Sequence, residues 1–157
     1  MRLQRQSISA TRCGGGGFSL IEVLIALVIM SVGMLGIAGL YVHSMQAGRT
    51  SILRHHAVTL AGDVADRIRA NPRAGAAYLD DGGDSGCVDG GINCTAAQMA
   101  AHDIFLWGQQ AADTLPNGTV DIGFNNGVVP PIYQITIAWT EPGHDMTYAI
   151  TIPVLAI

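Results

Sequence analysis

The sequence predicts an α+β fold in which a long N-terminal α-helix packs on a small antiparallel β-sheet. Three observations carry this expectation. An uncharged apolar run starts at Phe18 and passes into residues of helical spacing that stop at Asn71-Pro72. Apolar and polar residues alternate through Ile132 to Thr140 and again through Met146 to Leu155. Between helix and strands lies a Gly- and Asp-rich stretch, Arg73 to Thr95, followed by a short second helix.

The apolar run comes first in the chain. From Val23 to Gln46 the only side chain that can carry a charge near neutral pH is His43, and the apolar part, about 20 residues, is long enough to span a bilayer as a helix. Glu22 sits just inside its start, and a lone acid there costs up to a few kcal/mol, so it calls for a function and a counter-charge. The preceding Met1 to Gly17 holds Arg2, Arg5 and Arg12, no acid, and ends in Gly14 to Gly17. Positive charge ahead of the span keeps that end in the cytoplasm and sends the C-terminal part across the membrane. A secretory signal would be cut after the apolar core, at a site such as Gly36-Ile37-Ala38, and would carry no acid within it; cleavage before the core, after Gly17, fits better.

The helix is predicted to outlast the membrane. Met45, Ile52, His56, Leu60, Val64 and Ile68 recur at steps near four, with Arg49, Arg54, Asp63, Asp66, Arg67 and Arg69 mostly elsewhere on the helix. Asp63 with Arg67 and Asp66 with Arg69 have the spacing at which opposite charges meet on a helix. Phe18 to Ala70 would be about 80 Å long at 1.5 Å per residue, against about 30 Å of hydrocarbon. Gly33, Gly36 and Gly39 lie inside the span, fitting either close helix packing or a segment that unwinds on assembly.

Asp80, Asp81, Asp84 and Asp89 alternate with glycines in the central stretch, which reads as a long surface loop. Their spacing is not that of an EF-hand and no bidentate Glu follows, so a solvated loop is favoured over a calcium site. Thr95 to Gln98 has the form of a capping box opening a helix that runs to about Ala112. Leu115-Pro116-Asn117-Gly118 ends it, and strands are expected over Thr119 to Phe124, Ile132 to Thr140 and Met146 to Leu155. Tyr133, Ile135, Ile137 and Trp139 share one face, as do Met146, Tyr148, Ile150, Ile152 and Val154, while Gln134, Thr136, Thr147 and Thr151 point the other way. Glu141 to Asp145, with Pro142-Gly143, would close the last two strands into a hairpin.

Gly17-Phe18-Ser19-Leu20-Ile21-Glu22, followed by Val-Leu-Ile-Ala-Leu-Val-Ile, resembles the prepilin motif of type IV pilins and of the related pseudopilins. The resemblance implies a type IV pilin fold and a prepilin peptidase that cuts between Gly17 and Phe18 and N-methylates Phe18. It also implies that Glu22, the fifth mature residue, pairs with the amino group of Phe18 on a neighbouring subunit. The expected organisation is a leader at 1–17, a transmembrane and filament-core helix at 18–42, its amphipathic continuation at 43–71 and a periplasmic head at 72–157. Cys87 and Cys94 are then the only cysteines left once the leader and Cys13 are gone, and in an oxidising compartment they should pair as a disulfide. Asp63 to Pro72, Tyr78, the Cys pair, Trp107, Leu115-Pro116-Asn117-Gly118 and the Ile-Ala-Trp-Thr of the second strand resemble the type IV pilus modification proteins of the PilV minor pilin group. The partners implied are prepilin peptidase, other major and minor pilins, the inner-membrane assembly platform and membrane lipid, with the assembled form at the cell surface.

Other function classes find less support. The chain has 157 residues and a net charge of −4, the basic leader included, and no basic patch that would attract nucleic acid. His55 and His56 are adjacent and so point to different sides of a helix, His102 and His144 are isolated, and each reads as a surface or capping residue. No set for nucleophilic catalysis can be assembled from spacing, so no enzyme activity and no cofactor are expected. The alternatives are a minor pseudopilin of type II secretion, whose N-terminal half would look much the same, and a membrane-anchored periplasmic binding or enzymatic domain in which Glu22 is indifferent.

Overall fold

The computed structural model describes residues 17–88 and 92–154. The leader as far as Gly16, with its three arginines and Cys13, lies outside the described residues, as do Asp89, Gly90, Gly91 and Leu155. The elements are α1 (Leu20–Ala70), a 3₁₀ turn (Gly75–Leu79), α2 (Ala96–Thr114), β1 (Thr119–Asn125), β2 (Ile132–Glu141) and β3 (His144–Pro153). The described residues fall into two compact units that divide between Ser44 and Met45.

In the first unit α1 is regular through Gly33, Gly36 and Gly39, and among the described residues nothing outside the helix backbone comes within 4 Å of a Cβ placed on these glycines. Its apolar side chains are exposed on every side: Leu20 is 78 %, Leu35 73 % and Leu40 71 % accessible. A helix apolar all round must be covered by lipid or by other helices.

The second unit has its own core. Leu53, Ala57, Leu60, Ala61, Val64, Ala65 and Ile68 of α1 are buried. This corrects the expected stripe at its N-terminal end, because Met45, Ile52 and His56 are exposed. Four residues of helix advance about 400°, so a ladder of fours drifts by about 40° per step and leaves the buried face within a few turns. Ala57, Ala61 and Ala65, outside the expected stripe, are buried as well.

The sheet has the order β1-β2-β3 and is antiparallel throughout. The register sets Tyr133 opposite Ile152 and Phe124, Ile135 opposite Ile150 and Ile122, and Ile137 opposite Tyr148 and Val120. One face therefore carries a continuous apolar layer, and Tyr133, Ile135, Ile137 and Trp139 at its centre are buried as the alternation predicts. The β2–β3 connection is tighter than expected. Glu141 pairs with His144, leaving Pro142-Gly143 as a two-residue turn in which Gly143 has φ +86°. Proline fixes the first φ near −65°, so positive φ at the second position alone is type II geometry, open to glycine without strain. Thr50 of α1 donates to Glu141 Oε2 at 2.6 Å and Trp139 Nε1 donates to Oε1 at 3.0 Å, fastening the hairpin end to the helix. These bonds hold the Glu141 carboxyl below its ordinary range.

The Arg73 to Thr95 stretch is only partly a surface loop. It opens with the 3₁₀ turn, which buries Tyr78 to 2 % accessibility, and Gly83 N donates to the Ala101 carbonyl of α2 at 2.9 Å. A Cβ on Gly82 would meet Phe105 N at 2.7 Å, so the chain passes α2 at a distance only glycine permits. Cys87 and Cys94 are disulfide-bonded. Thr95 and Gln98 form the capping box, and α2 continues to Thr114, two residues beyond the expected end.

Candidate functional site

Gly17, Phe18 and Glu22 are brought together by the start of α1. Ser19 is the N-cap: its Oγ accepts from Ile21 N at 3.3 Å and its carbonyl accepts from Glu22 N at 3.1 Å and Val23 N at 3.3 Å. Ser19-Leu20-Ile21-Glu22 is thus the S-x-x-E pattern of a capping box, a signal the sequence reading missed. The box is not made: the Ser19 Oγ accepts from Ile21 N rather than from Glu22 N, and among the described residues no hydrogen bond or ion pair engages the Glu22 carboxylate. Glu22 is exposed in the first turn, where the helix dipole favours a negative charge. Phe18, at 83 % accessibility, stands one residue ahead of the cap on the same side of the helix start as Glu22, with Val23, Ala26, Leu27 and Met30 continuing the groove. The arrangement offers an unpaired anion beside an apolar groove. It suits a cation delivered with an apolar surface.

The second polar cluster explains the Asp63 to Pro72 run. Arg67 Nη1 donates to Asp103 Oδ1 at 2.8 Å, and its Nε lies 3.3 Å from Asp63 Oδ2. Asp63 Oδ2 also accepts from Trp107 Nε1 at 3.1 Å. Tyr78 Oη donates to Asp103 Oδ2 at 3.4 Å, while Asn71 Nδ2 donates to Tyr78 Oη at 3.3 Å and to the Ala96 carbonyl at 2.8 Å. Asp66 and Arg69 pair separately at 2.9 Å, as their spacing predicts. Desolvation alone would lower the Arg67 pKa, but the bonds and charges of Asp103 and Asp63 outweigh it and hold the guanidinium above its ordinary value. Burial, with the Asp103 charge beside it, pushes the Tyr78 phenol up to about 12. The cluster contains no nucleophile paired with a base. It is a brace joining α1, the 3₁₀ turn and α2.

The histidines divide. His55, His56 and His144 are exposed as expected. His102 is a correction: it is 5 % accessible, on the buried side of α2, with Nδ1 3.3 Å from Asp84 Oδ1. Asp84 follows directly on the Gly82–Gly83 crossing over α2 and so meets His102, a contact that sequence spacing does not reveal. No group of three metal-ligating side chains forms among the described residues.

A helix half apolar on all sides, an acid in its first turn, and a disulfide-bonded unit of α1, α2 and a three-stranded antiparallel sheet define a pilin-class subunit. Residues 15–38 match the prokaryotic N-terminal methylation motif, and residues 39–105, directly adjoining, match the Tt1218-like family, described as type IV pilin Tt1218. No curated protein and no solved structure matches the chain. The chain is a type IV pilin with a prepilin methylation motif, which implies processing by prepilin peptidase and assembly with other pilins. The strands lie beyond the matched residues, and they complete the α+β fold.

Proposed function

We propose that this chain is a minor pilin of the pilus modification type: a non-catalytic subunit cut between Gly17 and Phe18, methylated on Phe18, and drawn into a priming or tip complex that starts pilus assembly and serves adhesion or motility. Residues 18–42 hold it in the inner membrane and then in the filament core, 43–71 continue the helix, and 72–157 form a head on the periplasmic side. The observation that carries this reading is the Glu22 carboxylate, exposed in the first turn of an uncharged apolar helix with no partner among the described residues. An anion at the lipid boundary is costly until a cation reaches it. The amine that cleavage creates on Phe18 of a neighbouring subunit supplies one, together with the apolar helix surface that excludes water from the pair. The assembly platform and other major and minor pilins are the partners that such docking requires. The Asp63 to Pro72 run favours the pilus subgroup over the secretion pseudopilins.

Mass spectrometry of the chain extracted from membranes should show an N-terminus at methylated Phe18. Glu22→Ala should be inserted and cut normally yet be missing from sheared surface fibres, since cleavage reads Gly17 and docking reads the carboxylate. A mature chain that still begins at Met1, or fibres that incorporate Glu22→Ala as well as the parent, would overturn the reading.

A further inference from the structure

The chain contains two Asn-Gly dipeptides, Asn117-Gly118 and Asn126-Gly127, and the fold treats them differently. Both asparagines are exposed. Asn117 sits in the turn between α2 and β1 with φ +52°, and that turn is tied on both sides. Gly118 N donates to the Leu115 carbonyl at 2.9 Å, the Pro116 carbonyl accepts from Thr140 N at 2.9 Å, and Leu115 is 1 % accessible. A Cβ on Gly118 would overlap the Ala111 carbonyl oxygen, so the backbone here is pressed against the end of α2. Asn126-Gly127 lies instead in the β1–β2 connection, where residues 125–130 are exposed and Val129 is 99 % accessible. A Cβ on Gly127 would meet only Asn125 Oδ1, at 3.2 Å. The Gly127 N–H donates to that same exposed side-chain oxygen at 2.8 Å, and to no backbone carbonyl among the described residues.

From this contrast we infer that Asn126 is a site of spontaneous covalent modification by water, its side-chain amide becoming a carboxylate, whereas Asn117 is shielded by the fold. An asparagine side chain can close a five-membered ring on the nitrogen of the next residue, and glycine in that position leaves the nitrogen open and the backbone free to turn. Hydroxide takes the proton of the Gly127 amide, and the nitrogen adds to the side-chain carbonyl carbon of Asn126. The new carbon–nitrogen bond closes the ring, the bond to the side-chain nitrogen breaks, and that nitrogen leaves as ammonia with a proton from water. A water molecule then opens the cyclic imide at either carbonyl, giving aspartate or its β-linked isomer. Freeing the nucleophile at Gly127 takes the loss of one hydrogen bond to an exposed side chain. At Gly118 it takes opening the end of α2 and lifting Leu115 from the core. The product sets a negative charge beside Val128 and Val129 at the tip of the connection.

Peptide mapping tests the site on the full chain in detergent, held at mildly alkaline pH and sampled over time, with a parallel sample in urea. Cleavage after Phe124 puts the two asparagines in different peptides, and each conversion is read as the mass gained when an amide becomes an acid. In the folded chain Asn126 should convert at least about tenfold faster than Asn117, and in urea that ratio should fall toward one. Asn125→Ala removes the oxygen that holds the Gly127 N–H and should speed conversion at Asn126 about twofold to tenfold, leaving Asn117 unchanged. Gly127→Ala should keep the parent's urea unfolding curve and lose most of the conversion. Equal rates at the two asparagines in the folded chain, a ratio that urea leaves unchanged, or conversion at Asn126 that neither variant alters overturns the site.

Discussion

Removing the more exposed partner of the Arg67–Asp103 pair should damage the head more than removing the buried one. The Arg67 side chain is 43 % accessible and the Asp103 side chain 4 %. In Arg67→Met the Asp103 carboxylate stays buried with only the 3.4 Å hydroxyl of Tyr78 for company. Breaking a buried pair in that direction costs about 3–5 kcal/mol. In Asp103→Leu the guanidinium keeps Asp63 at 3.3 Å and can turn to water, so the loss is close to one charge-assisted hydrogen bond, about 1.5–3 kcal/mol. The double variant leaves no stranded charge and should be no less stable than Asp103→Leu alone, a coupling of about 3 kcal/mol or more. Urea unfolding of the full chain in detergent, followed by tryptophan fluorescence, measures all three differences. If Arg67→Met costs under about 1 kcal/mol and the singles simply add, the pair is an ordinary surface contact and the brace is misassigned.

Trp107, 1 % accessible, both packs and donates to Asp63, so Trp107→Ala should cost about 3–5 kcal/mol and Trp107→Phe markedly less; equal losses would mean that the ring's volume contributes little. Replacing Cys87 and Cys94 by serine opens a short loop and should cost about 2.5 kcal/mol in the same unfolding assay, with reduction of the parent giving a matching loss. Because Tyr78 is raised from 10.0 to about 12 in the folded chain, its contribution is complete below pH 10 and is lost between pH 10 and 12, where the unfolded phenol ionises first. Stability measured across that window should fall more steeply in the parent than in Tyr78→Phe, and superimposable slopes would remove Tyr78 as the cause.

What the sequence determined by itself was local. Alternation placed Tyr133, Ile135, Ile137 and Trp139 on one face because side chains in a strand have period two whatever lies opposite. The Thr95–Gln98 box, the helix end at Asn71-Pro72, the Asp63–Arg67 and Asp66–Arg69 pairs and the Cys87–Cys94 bridge were legible because each joins residues fewer than eight positions apart. The position of Glu22 was legible for a different reason, since a charge within a run of uncharged residues is a property of composition. Tertiary structure decided which side of α1 is buried, because Ala57, Ala61 and Ala65 give no hydrophobic signal until the rest of the core covers them. It also decided that Arg67 reaches Asp103 rather than water, that the glycine-rich stretch is pinned to α2, and that His102 is buried beside Asp84. Those partners lie at least 18 residues apart, as with Gly83 and Ala101, and nothing in a local pattern records a distance that only packing creates.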